Sequence, residues 1–245
     1  MRNWLLAGFF LCSLAGNCYS QDTQLSEYIA TYEANANGLA ATASRRLSRL
    51  DENSYRLINS LEATLAGQTL ARLNQTSEFV LEEQRVIPQN YSYTLSGISR
   101  ASHAIAYNWE AGVAISNEDD KSWRLSINPG VMDQLSYQVA LRQTLRDNLE
   151  PVSSFSFEII DGDEIDTQEY RVVGREAITT PLGILNTLKL ERVREASDDR
   201  VTEIWLAIDW EFLLARLEQI NGSGLHIVLE LRTAEIGGEN VRANN

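Results

Sequence analysis

Cysteine, histidine and proline are scarce in this chain of 245 residues. Both cysteines, Cys12 and Cys18, lie in the first 20 residues, whose pattern predicts a cleaved signal peptide. A mature chain without cysteine has no disulfide, no thiolate metal ligand and no cysteine nucleophile. Its stability must therefore come from the burial of apolar side chains.

Histidine is limited to His103 and His226. Neither has an acidic residue at metal-ligand spacing beside it, whereas a zinc site needs several such ligands. The acidic run 161–166 is not followed by the glycine and glutamate that a calcium loop requires, and no G-x-S-x-G or S-x-x-K motif is present. We therefore predict no catalytic residue, no metal ligand and no cofactor. A hydrolase assembled from distant carboxylates or a histidine stays open as an alternative.

Basic residues are outnumbered, since 21 Lys and Arg stand against 34 Asp and Glu, and the formal net charge is −13. An acidic protein repels nucleic acid at long range, so we expect no nucleic acid partner. The charge is typical of a protein that must stay soluble after export.

Long apolar runs are confined to the N-terminus. Arg2 precedes an apolar stretch that ends near Ala15, and small residues lead to Ser20. This layout predicts a signal peptide over residues 1–20 and a periplasmic mature protein. Lipid attachment at Cys18 fits poorly, because Asn17 precedes it. No later segment is long and apolar enough to span a bilayer, so the mature chain is not expected to cross the membrane.

From Leu25 onwards apolar and polar residues alternate with a period near two, which is typical of antiparallel strands with one wet face. The pair Asn37-Gly38 is a strong hairpin signal. Residues 44–67 are ambiguous, because they are rich in good helix formers. We predict a mainly β protein: one domain over 21–236, in which an antiparallel meander of about 12 strands curls or closes. Residues 237–245 are predicted to be a flexible tail.

One stretch, residues 128–148, has helical periodicity instead. Asn128 suits the N-cap and Pro129 the first helical position, so a helix is expected at about 130–148. Its apolar stripe covers roughly half of the helical wheel, which favours a helix lying on the sheet or plugging a barrel. Arg142 falls within that stripe, and we expect it either to reach the rim or to pair with a carboxylate.

Three segments resemble an uncharacterised family of exported bacterial proteins, catalogued as domain of unknown function 3108. They are the helix, a Thr-Pro-x-Gly turn and two C-terminal strands, within residues 128–232. Where the family often has Pro-Val, this chain has Leu214-Ala215. The resemblance implies no known reaction, and it makes the signature residues structural rather than catalytic. These residues are Asp133, Leu135, Ser136, Arg142, Thr180, Pro181, Gly183, Trp205, Arg216 and Glu218.

A more distant similarity in layout, to periplasmic lipoprotein carriers, implies a curved sheet that holds an apolar cavity under helices. The leading hypothesis is thus a non-enzymatic periplasmic protein that binds a lipid or another apolar ligand. We expect a cavity of several hundred Å³ lined by Leu, Ile, Val and Trp. Trp109, Trp123 and Trp210 are candidate pocket residues, with a core position as the alternative. A second hypothesis is a protein–protein module in cell-envelope assembly, which would bind an envelope protein through a strand edge or sheet face.

Overall fold

A computed structural model describes residues 24–147, 152–193, 201–220, 224 and 226–244. The predicted signal peptide lies outside these residues. Fifteen strands and one α-helix occur in the described part of the chain. They are β1 (Tyr28–Ala36), β2 (Leu39–Arg49), β3 (Ser54–Leu65), β4 (Gln68–Glu82), β5 (Arg85–Gly97), β6 (Ala101–Asn108), β7 (Val113–Glu118), β8 (Lys121–Ser126), α1 (Ser136–Asp147), β9 (Ser154–Asp161), β10 (Glu164–Thr180), β11 (Gly183–Arg192), β12 (Val201–Ala207), β13 (Leu213–Ile220), β14 (His226–Ile236) and β15 (Glu239–Asn240).

The strands form one antiparallel sheet in the order β8-β7-β6-β5-β4-β3-β2-β1-β14-β13-β12-β11-β10-β9, with β15 added on β14. Strand β1 pairs with β14, so the two halves of the chain join at the centre of the sheet. The two ends of this order, β8 and β9, are consecutive in the sequence, and the helix lies between them. The sheet is not closed into a barrel. The prediction of a curved β meander with one helix is confirmed, with 15 strands instead of about 12.

Alternation in the sequence sets which face of each strand is buried. In β1, Tyr28, Ala30, Tyr32 and Ala34 are buried, whereas the residues between them are exposed or half-buried. The ambiguous residues 44–67 follow the same rule and form parts of β2 and β3. Period-two patterning therefore outweighs the helix propensity of the individual residues in this segment.

The β1–β2 hairpin is built as its sequence predicts. Asn37 and Gly38 both have positive φ values, 48° and 87°, as the favoured two-residue hairpin turn requires. Asn and Gly are the residues that reach this region at least cost. The turn fixes the register in which Ala36 faces Leu39.

The helix begins at Ser136, so the predicted start near residue 130 and the N-cap at Asn128 are wrong. Residues 128–132 form a turn and an isolated parallel bridge between Met132 and Ile159. In this bridge Met132 N donates to Glu158 O (2.8 Å), and Ile160 N donates to Met132 O (3.0 Å). The segment is extended because it pairs with the edge of β9, which local helix signals do not reveal. Residue 148, the predicted end, lies outside the described residues.

The helix packs inside the curve of the sheet, against β4, β5 and β9. Tyr137, Val139 and Leu141 lie on its buried face. Arg142 does not pair with a carboxylate: its Nε donates to the backbone carbonyl of Glu211 (3.2 Å), and its guanidinium lies 4.7 Å from the ring centroid of Tyr28. The expected pairing with a carboxylate is therefore not found among the described residues, whereas the half-buried side chain is consistent with a position at the rim.

The C-terminal segment is docked rather than flexible. Strand β15 pairs with the end of β14, and Val241 is buried. Asn244 N donates to Ile184 O (2.8 Å), and Trp210 Nε1 donates to Arg242 O (3.2 Å). The polar composition of residues 237–245 predicted fraying, but one buried apolar side chain and several backbone hydrogen bonds hold residues 237–244 to the sheet. No helix in the described ranges has the length and hydropathy needed to cross a bilayer.

Candidate functional site

A cavity of about 630 Å³ lies between the inner face of the sheet and the helix. One wall is a contiguous apolar patch, because the strand register aligns its residues: Ile204 faces Leu217, which faces Leu229, and Leu206 faces Leu214. The helix adds one leucine to it. We call this the leucine patch, and its members are Leu141, Ile204, Leu206, Leu214, Leu217 and Leu229.

A second wall of the cavity is polar and carries a buried tyrosine pair. The hydroxyls of Tyr137 and Tyr170 are 2.9 Å apart, and their rings are stacked with centroids 5.7 Å apart. The Tyr170 hydroxyl also donates to Gln168 Oε1 (3.2 Å). Burial raises the pKa of Tyr137, and the hydrogen bond with Tyr170 and the nearby charges of Arg45 and Arg192 only partly oppose this shift. Tyr137 therefore stays a neutral phenol at physiological pH.

The same wall contains Arg45, which projects inward from β2 and is 7% exposed. Its Nη2 donates to Gln138 Oε1 on the helix, and Gln138 Nε2 donates to Gln134 O (2.8 Å). We did not predict Arg45 from the sequence. The signal was present, because Arg45 lies between Ala43 and Leu47 at period-two spacing and so shares their buried face.

The third part of the lining is acidic and includes His103, Glu118 and Asp161. Burial lowers the pKa of His103, while the charges of Asp161 and Glu118 act in the opposite direction. His103 Nε2 lies 3.0 Å from Ser116 Oγ, and the Ser116 hydroxyl donates to Gly162 O (2.6 Å). A serine has one hydroxyl proton, so this serine accepts from the imidazole rather than transferring a proton to it. The pair thus ties β7 to the β9–β10 turn, and this is not the geometry of an activated nucleophile.

The second histidine, His226, lies away from the cavity. Its Nε2 is 2.8 Å from Glu218 Oε1, and Arg216 Nη2 donates to Glu218 Oε2 (2.8 Å). Partial burial acts to raise the pKa of Glu218, but these two hydrogen bonds outweigh it and hold the pKa below its usual value. Within the described residues no group of three or more His, Cys, Asp or Glu side chains is arranged to hold a metal ion.

The family-signature residues at the helix start form a buried cap. Asp133 Oδ1 accepts from the backbone N–H groups of Leu135 (2.8 Å) and Ser136 (2.9 Å). Ser136 Oγ in turn accepts from Asp133 N (3.0 Å), which is the reciprocal pattern of a capping box. Asp133 Oδ2 accepts from Ser77 Oγ (2.8 Å) on β4. This cap fixes the helix end to the sheet, so these residues position the roof of the cavity without lining it.

The Thr-Pro-x-Gly signature forms the β10–β11 turn, also away from the cavity. Thr180 Oγ1 donates to Gly183 O (3.1 Å), and Pro181 lies in the turn. Gly183 has φ +131°, and a Cβ on it would collide with the side chain of Ala243. Glycine is required here by both the backbone conformation and the docked C-terminal segment.

The signature residues of the last strands lie on the outer face. Trp205 Nε1 donates to Glu176 Oε1 (2.6 Å), and its ring packs between Lys189 (4.7 Å) and Arg216 (5.2 Å). Arg216 also pairs with Glu230 (3.2 Å). Trp205 is 6% exposed because these charged side chains cover it. Leu214 and Ala215, where the chain departs from the family pattern, remain within β13, next to a register shift between Trp205 and Leu206.

The three candidate pocket tryptophans do not line this cavity, and neither valine nor tryptophan is among its lining residues in the described part of the chain. Trp109 lines a separate groove of about 1030 Å³ on the other side of the helix and donates to Pro88 O (2.7 Å). Trp123 lies on the edge strand β8 near Lys121. Trp210 contacts the C-terminal segment. The large aromatic residues that line the cavity are tyrosines. The hydroxyls of Tyr137 and Tyr170 are hydrogen-bonded to each other in its polar wall.

The fold is similar to solved structures of low sequence identity. A beta-barrel-like protein of domain of unknown function DUF1849 from Brucella abortus has a TM-score of 0.55 at 8% identity, with 87% of this chain and 98% of that chain covered. An exported protein with a YmcC-like fold from Bacteroides fragilis (TM-score 0.36, 13% identity, 86% and 96% covered) and a lipoprotein from Parabacteroides distasonis (0.35, 11%, 86% and 96%) are also similar. No curated protein is similar enough in sequence to count as a relative.

The family model described as "protein of unknown function (DUF3108)" matches residues 28–232, from the first strand of the sheet to the last long one. This range includes the capped helix, the Thr-Pro-x-Gly turn and the outer-face tryptophan described above. The chain therefore belongs to the DUF3108 family.

Proposed function

We propose that this chain is a non-enzymatic periplasmic protein that binds a lipid-like molecule in the cavity under its helix. The leucine patch is the observation that carries the proposal. It presents six aliphatic side chains to an interior space of about 630 Å³, which lies in the range of about 300–1,000 Å³ typical of small-molecule sites. Transferring an alkyl chain from water onto such a wall is favourable by about 0.8 kcal/mol per CH₂ before the costs of binding.

The periplasmic location is supported by the sequence of residues 1–20, which has the layout of a signal peptide. A compartment between two membranes holds lipids that need a protein to cross water. An acidic outer surface and a shielded apolar interior suit that task.

The protein–protein alternative is less well supported. Binding through a sheet face requires a contiguous apolar surface patch, but the large exposed apolar side chains of the described residues belong to different strands and turns. They are Ile29, Leu50, Leu65, Ile98, Val173, Ile184, Val193 and Ile220. Scattered exposed apolar residues are normal for a soluble protein.

Native mass spectrometry of protein purified gently from the periplasm tests the proposal. We expect a lipid-sized mass to co-purify with the wild-type chain and to be lost from Leu229→Trp, whose larger side chain fills the leucine patch. Val228→Trp is the matched control, because the next residue of the same strand points to the outer face and should leave the bound mass in place.

A fluorescence assay with the neutral apolar probe 1-N-phenylnaphthylamine gives an independent measure. The probe should bind the wild type and Val228→Trp with similar affinity and bind Leu229→Trp at least tenfold more weakly. Circular dichroism confirms that each variant is folded. Absence of both a co-purifying mass and probe binding in the folded wild type would refute the proposal.

A further inference from the structure

A buried cation in the cavity has no ionic partner. Arg45 is 7% exposed, and its buried Nε has no hydrogen-bond partner among the described residues. Within the same residues its side chain makes one hydrogen bond, to the neutral amide of Gln138 described above. Among the residues that the structure describes, no carboxylate lies within 4 Å of its guanidinium.

This arrangement is unusual because arginine keeps its charge in proteins. A charge removed from water is tolerated when a counter-charge or several hydrogen bonds replace its hydration. Arg192 follows that rule, since its side chain is 14% exposed and pairs with Asp166 (3.3 Å). Arg45 instead lines the cavity with no counter-charge among the described residues.

A buried tyrosine hydroxyl lies near Arg45, although Tyr32 does not itself line the cavity. The Tyr32 hydroxyl is buried and has no hydrogen-bond partner in the described part of the chain. Tyr32 pairs with Ala43, and Ala43 is two residues from Arg45 on the same face of β2. Burial raises the pKa of Tyr32, and the charges of Arg45 and Arg142 act against that rise without cancelling it. The hydroxyl therefore stays protonated and able to donate.

Arg142 brings a second positive charge to this region. It lies one helical turn after Gln138, on the same face of the helix, and it lines the cavity. Arg45 and Arg142 both act electrostatically on the Tyr32 hydroxyl. We call Arg45 and Arg142, which both line the cavity, its cationic pole.

The cavity is thus divided by chemistry. The cationic pole offers donors and positive charge, the leucine patch offers apolar surface, and Glu118 and Asp161 supply negative charge elsewhere in the lining. An anion would be attracted to the first region and repelled from the last. A purely apolar ligand would leave the donors of the cationic pole unsatisfied.

We propose that the cavity binds an amphiphile with an anionic oxygen head group, a carboxylate or a phosphate, whose head group contacts Arg45 while its alkyl chain lies on the leucine patch. This inference rests on the proposed function and names the ligand class of the same site. Guanidinium groups form paired hydrogen bonds with both kinds of head group, so the two share one recognition chemistry.

The test compares ligands that differ only in the head group. Oleate and oleyl alcohol have the same alkyl chain, and displacement of 1-N-phenylnaphthylamine gives the affinity of each. We expect oleate to bind the wild type at least tenfold more tightly than oleyl alcohol. We expect Arg45→Met to remove that preference by weakening the binding of oleate much more than that of oleyl alcohol. Arg45→Lys, which keeps the charge and loses the paired geometry, should retain part of it.

Arg46→Met is the matched control, because the neighbouring arginine points to the exposed face of β2 and its loss should leave the preference unchanged. Oleyl phosphate and inorganic phosphate complete the series. Oleyl phosphate should bind like oleate, and inorganic phosphate should bind far more weakly. If inorganic phosphate binds as tightly as oleate in an Arg45-dependent way, the site takes a free oxyanion and the amphiphile assignment is wrong.

The outcomes separate this inference from the proposed function. Equal affinities for oleate and oleyl alcohol in the wild type, or equal weakening of both by Arg45→Met, would overturn the head-group assignment and leave lipid binding intact. Failure of every alkyl ligand to bind folded protein would overturn both. Folding of Arg45→Met is checked by thermal unfolding, in which oleate should raise the midpoint of Arg45→Met less than that of the wild type and of Arg46→Met.

Discussion

The buried cap at the helix start is the best place to test whether this helix is held by hydrogen bonds to the sheet. Replacing Asp133 by alanine removes an acceptor from three donors, namely the N–H groups of Leu135 and Ser136 and the hydroxyl of Ser77. Loss of a helix cap costs about 0.5–2 kcal/mol, and each buried donor left unsatisfied costs about 1–3 kcal/mol. Replacing Asp133 also removes the cost of keeping a carboxylate out of water, which offsets part of these losses. We therefore expect the free energy of unfolding to fall by about 3 kcal/mol.

For a domain of this size, such a loss should lower the midpoint of thermal unfolding by about 6–12 °C. Urea unfolding followed by circular dichroism measures the free energy directly. Asp120→Ala, in an exposed turn, is the matched control and should change stability by less than about 0.5 kcal/mol. Ser77→Ala combined with Asp133→Ala completes a double-mutant cycle, and the two losses should be strongly non-additive.

The pH dependence of the same site has a defined sign. Burial raises the pKa of Asp133 above its ordinary value of 3.8, although bonds from Ser136, Leu135 and Ser77 oppose the shift. The folded state thus holds this proton more tightly than the unfolded state, so its stability falls as pH rises from about 3.8 through the raised pKa. Asp133→Asn lacks this titratable group, so its stability relative to the wild type should increase as pH rises over that range. A stability difference that is flat with pH, or an Asp133→Ala variant as stable as the control, would refute the reasoning.

Two further predictions concern the ties between elements. Because burial lowers the pKa of His103, protonation of this side chain is disfavoured in the folded state, and the free energy of unfolding should fall as pH drops below about 6.5. In urea unfolding, His103→Gln should lose less stability than the wild type between pH 7.5 and 5. An identical loss in both proteins would contradict this prediction. Gly183→Ala should lower stability by about 1–3 kcal/mol in thermal unfolding, because it places a side chain at φ +131° and against Ala243. Adding Ala243→Gly should recover only the part of this loss that is due to the collision. Full recovery would show that the backbone conformation is not strained.

Local sequence patterns predicted the strands because each strand's alternation is a property of the strand itself. The alternation from Tyr28 to Ala34 marks the buried face of β1 without reference to any partner. The same patterns could not predict that β1 pairs with β14, since antiparallel pairing over 200 residues leaves no local signal. The helix start was missed for a related reason: Asn128 and Pro129 are good helix-start residues, but Met132 is needed as an edge partner of β9.

The cavity was predicted in size but only partly in chemistry. Its leucines follow from alternation in β12 to β14, whereas its charged residues do not follow from composition. Arg45 has the spacing of a core residue and the identity of a surface residue, and this conflict is itself the signal of a site. The family signature, by contrast, pointed to Trp205, which lies on the outer face under charged side chains and away from the cavity.

The pairing of Tyr28 with Ile236 has a consequence for how the polypeptide matures. Strand β1 lies between β2 and β14 in the sheet, so it lacks its second neighbour until β14 has been synthesised. During synthesis and translocation, both Tyr28–Ala36 and Leu213–Ile220 therefore carry open backbone edges, which invite association with other chains. Folding of the joined sheet is expected to be late and slow. A nascent chain stopped before residue 226 would keep both edges open permanently.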